Sequence, residues 1–173
     1  FLGTFDGNHK RLTFTATATA SYLAPFRNVL GNSDTDRAVI RDLNVVTNIT
    51  AHDERHMAGL IALVWGYVDV TNCNVTVDIT ATKGSTNTDL YPAGIASQVV
   101  KDAQSAVSGC TVDGTISTDG KYAGGIIGIA QGSASITNSL SSVTINSSTD
   151  GDGTHGGLVA VQGNYDGKTL TIA

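Results

Sequence analysis

Glutamate is almost missing. The 173 residues contain one, Glu54, and charged side chains of all kinds make up only 14%. Strong helix formers are correspondingly few, which disfavours a helical fold from the outset. Basic residues number 10 against 15 acidic ones, a net charge of −5. That balance argues against nucleic acid, whose phosphates demand clustered Lys and Arg. Long hydrophobic runs are missing too. The longest, residues 57–65, falls well short of the ~20 residues that span a bilayer, so no membrane span is expected. No signal peptide is visible, and the chain opens abruptly on Phe1-Leu2-Gly3-Thr4-Phe5, which reads as a mature product or a segment of a longer chain. Two cysteines say little about compartment. The sequons at Asn48, Asn74 and Asn146 are what chance supplies in a chain rich in Asn, Ser and Thr.

What remains is Gly, Thr, Ser, Asn, Val and Ile, a composition of strands and turns. These residues recur in register. Gly59-Leu60-Ile61, Gly94-Ile95-Ala96, Gly125-Ile126-Ile127 and Gly157-Leu158-Val159 superpose. A second block, Val70-Thr71-Asn72-Cys73, Val107-Ser108-Gly109-Cys110 and Ile136-Thr137-Asn138-Ser139, follows the first three, and Ile40-Arg41-Asp42-Leu43 matches it upstream. Six residues past each quartet stands an isoleucine: Ile49, Ile79, Ile116 and Ile145. Repeats start near residues 21, 56, 91, 122 and 154, within a single domain spanning 1–173.

Alternation fixes the local structure. After Cys73, Val75, Val77 and Ile79 share one strand face and Asn74, Thr76, Asp78 and Thr80 the other. The same alternation follows Cys110 and Ser139. Upstream, Thr13, Thr15, Thr17 and Thr19 cover one face of a strand. Units of this length cannot bury an apolar face alone and must stack. The expected fold is all-β: a single parallel β-helix (β-solenoid) of about five stacked rungs, with irregular loops such as 83–89 and 149–154 leaving one corner. Leu43, Cys73, Cys110 and Ser139 should form one interior column and the four isoleucines another. Cys73 and Cys110 are then stacked buried thiols, because parallel in-register side chains have poor torsions for a disulfide.

Phe-x-Gly-Thr-Phe-Asp-Gly-Asn at the start, with Ala-Gly-Gly-Ile-Ile-Gly-Ile-Ala and Ile-Thr-Asn-Ser further on, resembles the GLUG-type repeats of bacterial surface proteins. The resemblance covers essentially the whole chain. It implies a β-solenoid region of a secreted adhesin, or of the non-catalytic part of an IgA-protease-like surface protein. The sequence departs from the pattern at Gly94-Ile95-Ala96-Ser97-Gln98 and at Pro25-Phe26, where irregular rungs are expected.

No catalytic or metal-binding set stands out, and no cofactor is expected. His52 and His56 are four apart, but Asp53 follows the first where the zinc-peptidase motif has Glu, and the segment is a loop rather than a helix. Asp150 and Asp152 lack the remaining oxygens of a calcium loop. Asp78 and Asp113 fall on adjacent rungs as diagonal neighbours, and no Arg or Lys accompanies them.

Two arrangements carry a functional expectation. Tyr22, His56, Tyr91 and Tyr122, followed by Thr154, stand three residues before each opening glycine, or before Pro25, and should line up at a rung corner. The column is either a packing ladder or a strip on which sugar rings lie. The glycine-led strand is apolar at both parities, so Ile61, Leu63, Ile127, Ile129, Val159 and Val161 are expected to leave an outer association stripe. The leading reading is an extracellular structural or binding module of a bacterial surface protein that adheres to glycans or host proteins, or self-associates, including through its ends or flanking domains. A polysaccharide hydrolase or lyase is the alternative, and an ice-binding threonine face the third.

Overall fold

The computed structural model describes residues 1–18, 22–85, 89–149, 153–163 and 165–173. Thr19, the repeat start at residue 21, the loop residues 86–88, and Asp150 and Asp152 lie outside them. Within the described residues the fold is a β-solenoid without a helix, built from four sheets whose strand pairings are all parallel. One rung shows the plan. Tyr67–Thr71 belongs to sheet 1, Asn74–Thr82 to sheet 2, Tyr91–Ala93 to sheet 3 and Ala96–Val99 to sheet 4, and the chain then re-enters sheet 1 at Gln104–Ser108. Sheet 4 contains five strands, one for each turn.

The corner between sheets 1 and 2 explains the recurrent quartet. Its third member takes the left-handed conformation on every rung: Asp42 (φ 51°), Asn72 (51°), Gly109 (62°) and Asn138 (47°). Asp, Asn and Gly are the residues that tolerate that region. The turn hands the chain from one sheet to the next in the same phase each time. Consequently Ile49, Ile79, Ile116 and Ile145 are register partners in succession. The first three are buried, while Ile145 on the last strand of sheet 2 is half-buried. Backbone bonds from Asn74 N to Leu43 O, Thr111 N to Cys73 O and Leu140 N to Cys110 O align the neighbouring column of Leu43, Cys73, Cys110 and Ser139. The cysteines are free and buried.

Sheets 3 and 4 are joined by the two-residue turns that the glycine blocks open, and these turns press inward against sheet 2. A Cβ added to Gly59 would lie 2.6 Å from a Cγ1 of both Val75 and Val77, which leaves no room for any side chain. Thr47, fully buried at that point of sheet 2, donates its hydroxyl to the Gly59 carbonyl at 2.7 Å. The two sheets therefore fold on each other as a notch. Each sheet 4 strand supplies its first and last residues to the main core: Ile61 and Val64, Ala96 and Val99, Ile127 and Ala130. Between them Ala62 packs with Ala24, Ala58 and Tyr22 in a cluster of its own, and the Ser97 hydroxyl bonds the Tyr91 carbonyl.

This geometry corrects the expected association stripe. Ile61 and Ile127 are fully buried in the core, Leu63 and Ile129 are 4% and 7% exposed, and Val159 and Val161 on the last rung are half-buried. The positions between them, Ala62 and Ser97, close on sheet 3 of the same chain. The first rung has a further excursion at 30–37, between sheets 4 and 1. The rung at 94–98 is regular, with Ala96–Val99 paired on both sides. Pro25 precedes Phe26–Val29, which pairs in register with Ile61–Val64.

Candidate binding surfaces of the solenoid

The aromatic column forms at the mouth of the notch, because His56, Tyr91 and Tyr122 open sheet 3 strands and Tyr22 precedes Leu23, which bridges to Met57. Tyr91 pairs with His56 and Tyr122 with Thr154. Ring centroids are 5.1 Å apart for Tyr22 and His56, 5.5 Å for His56 and Tyr91, and 5.2 Å for Tyr91 and Tyr122. The first pair is stacked within 5° of parallel. At the two ends, the Arg27 guanidinium lies 5.1 Å over Tyr22 and the Lys121 ammonium 5.7 Å over Tyr122. Each ring thus neighbours another ring or a cation within about 6 Å. Sugar rings lie on aromatic faces, so this arrangement favours the packing ladder over the sugar strip.

His56 shows how closed the column is. It is 7% exposed, wedged between two tyrosines, with Nδ1 at 3.5 Å from the Ser97 hydroxyl. Burial, aided by the neighbouring Arg55 charge, lowers its pKa to about 4. Burial, followed by the charge of Asp89, also raises the Tyr91 hydroxyl above its ordinary value. Neither group is a poised acid or base near neutrality.

The remaining constellations separate in space. His52 ends a sheet 2 strand, exposed and 3.0 Å from the Thr82 hydroxyl, whereas His56 points into the column. Among the described residues no cluster of three metal-ligating side chains exists. Asp78 pairs with Thr115 and Asp113 with Thr76, which makes the two carboxylates exposed diagonal neighbours. Cys73 N donates to Cys110 Sγ at 3.4 Å. Hydrogen bonding to Cys110, with burial adding to it, holds the Cys73 thiol well above its ordinary range.

The longest strands present the outer face of sheet 2. Its register sets Thr15, Asn48, Asp78, Thr115 and Thr144 in one column and Thr17, Thr50, Thr80, Ser117 and Asn146 in the next. A third column is tied together by side chains. Asn74 Nδ2 donates to Asn44 Oδ1 at 2.9 Å, and the Thr111 hydroxyl donates to Asn74 Oδ1 at 2.6 Å. Threonine runs over three rungs in one column, Thr17, Thr50 and Thr80, before Ser117 and Asn146, while the column beside it mixes Thr, Asn and Asp, so the array differs from the repeated two-column threonine face that ice binding requires.

Where this face turns toward sheet 3, Thr80, Ser117, Asp119, Ile145, Asn146 and their neighbours enclose an open depression of about 600 Å³. The sequence hides it, since each of three rungs contributes only two to four residues. Its signal becomes visible once the rungs are aligned: polar side chains recur at one position on three consecutive strands. No family model, no curated protein and no solved structure matches this chain.

Proposed function

We propose that the chain is a non-catalytic binding and display module of an extracellular surface protein, with the GLUG-type repeat as its building unit and glycans as its ligands along the outer face of sheet 2. The observation that carries the reading is the in-register polar face. Hydroxyl, amide and carboxylate groups recur from rung to rung on strands of eight or nine residues. A polymer whose own hydroxyls repeat can bond such an array at several points, with weak contacts adding through repetition. The hydrogen-bonded Asn44, Asn74 and Thr111 row supports it further, because donors and acceptors fixed before binding lose less freedom when a ligand arrives. The test is a glycan array probed with the wild-type chain and with a double substitution, Asn48→Ala and Thr115→Ala, on this face. Binding that falls in the variant while its β-sheet spectrum is unchanged supports the reading. A wild type that binds no glycan, or that releases new reducing ends from those it binds, refutes it.

A further inference from the structure

Resting on that reading, we infer that the depression where sheet 2 turns toward sheet 3 is a subsite for one neutral sugar residue, anchored by Asp119, Ser117 and Asn146. The cavity measures about 600 Å³, within the ~300–1,000 Å³ usual for small-ligand sites. Its walls are held by bonds that do not consume its inner groups. Asp119 Oδ1 accepts the Lys83 amide at 2.6 Å, Thr118 Oγ1 accepts the Gly120 amide at 2.9 Å, and Ser148 N donates to Thr118 O at 3.0 Å.

The groups left over define the ligand. Thr80, Ser117 and Asn146 are register partners on three consecutive strands, and among the described residues their side chains have no hydrogen-bond partner. Two hydroxyls and a primary amide can each donate and accept, which is the capacity a sugar's hydroxyls require. The second oxygen of Asp119 can accept only, so it selects a ligand O–H and forms the stronger, charge-assisted bond. Among the described residues no Lys or Arg side chain lines the cavity. A phosphate, sulfate or uronate would therefore meet a carboxylate without a counter-charge. Among the described lining residues Asp119 is the one carboxylate, too little by itself to hold a metal ion, which needs several oxygen ligands.

The experiment follows backbone amide shifts of isotopically labelled protein during titration with methyl glycosides of glucose, galactose, mannose and N-acetylglucosamine, and with neutral tetrasaccharides. Shifts confined to residues 117–119 and 145–148 are expected for at least one glycoside. Asp119→Asn, which keeps an acceptor for the Lys83 amide, should weaken that binding at least tenfold, and Ser117→Ala and Asn146→Ala by several-fold, all with unchanged circular dichroism. Tetrasaccharides that bind with shifts elsewhere on sheet 2, insensitive to Asp119→Asn, would overturn the subsite and leave the module reading standing. Failure of every neutral saccharide at millimolar concentration would remove both. Tighter binding of acidic sugars in Asp119→Asn would overturn the neutral class.

Discussion

Acidification should loosen this solenoid through one histidine. His56 sits between Tyr22 and Tyr91 with its pKa lowered to about 4 by burial and by Arg55, against 6.5 for an unhindered imidazole. Above the unfolded value the ring is neutral in both states and contributes no pH dependence. Between the two values the unfolded chain binds a proton that the folded chain refuses, so stability falls as pH falls, and the loss stops growing below the folded value. The full gap corresponds to about 3 kcal/mol, and the part lost between about pH 7.5 and pH 5 to about 2 kcal/mol. Carboxylates also titrate in acid, so the wild type alone does not isolate the effect. His56→Phe keeps an aromatic ring in the stack and removes the titrating group. Urea unfolding of both proteins at the two pH values should show the wild type losing about 2 kcal/mol more than the variant. Equal losses, or a titration of His56 near its ordinary value by NMR, would refute a closed column.

The interior columns, the notch and the thiols each make a further prediction. Ile79→Ala removes a fully buried side chain flanked by Ile49 and Ile116 and should cost ~2–5 kcal/mol in chemical denaturation. Gly94→Ala places a Cβ against the Gly125 carbonyl oxygen and the Val112 side chain, and at about 1–3 kcal/mol should be far more costly than alanine at Gly157, where the structure leaves open space. Cys73 and Cys110 should both react with a thiol reagent only after unfolding, and reductant should leave the melting temperature unchanged; a reductant-sensitive midpoint would mean a disulfide.

The sequence made the columns legible because every rung repeats its chemistry at a fixed distance. The left-handed corner residues Asp42, Asn72, Gly109 and Asn138 pin the phase, and the four isoleucines follow from it. The notch was not legible. Period-two alternation says that Ile61 and Ala62 face opposite ways, but not that the face carrying Ala62 closes on Ala24 and Ala58. That closure is a tertiary fold-back within the rung, whereas Ile61 and Ile127 of the expected stripe lie in the main core. The aromatic column was visible as a column. Which ring faces stay free depends on interplanar angles, which spacing does not encode. The depression was missed for a different reason: Thr80, Ser117 and Asn146 are each ordinary surface residues until three rungs are laid side by side.

Register partners Asn44 and Asn74 are 30 residues apart along the chain but only one rung, ~4.8 Å, apart along the axis. Tension between the two ends would pull along the backbone bonds that join the rungs, and these would yield from an end, one turn after another, rather than in a single shear event. A freed turn of this size pays out roughly 100 Å of extended chain. A body stiff against bending would then behave, under sustained pull, as a reel: short, ratcheted releases of slack, each leaving the rungs beyond it in their original register.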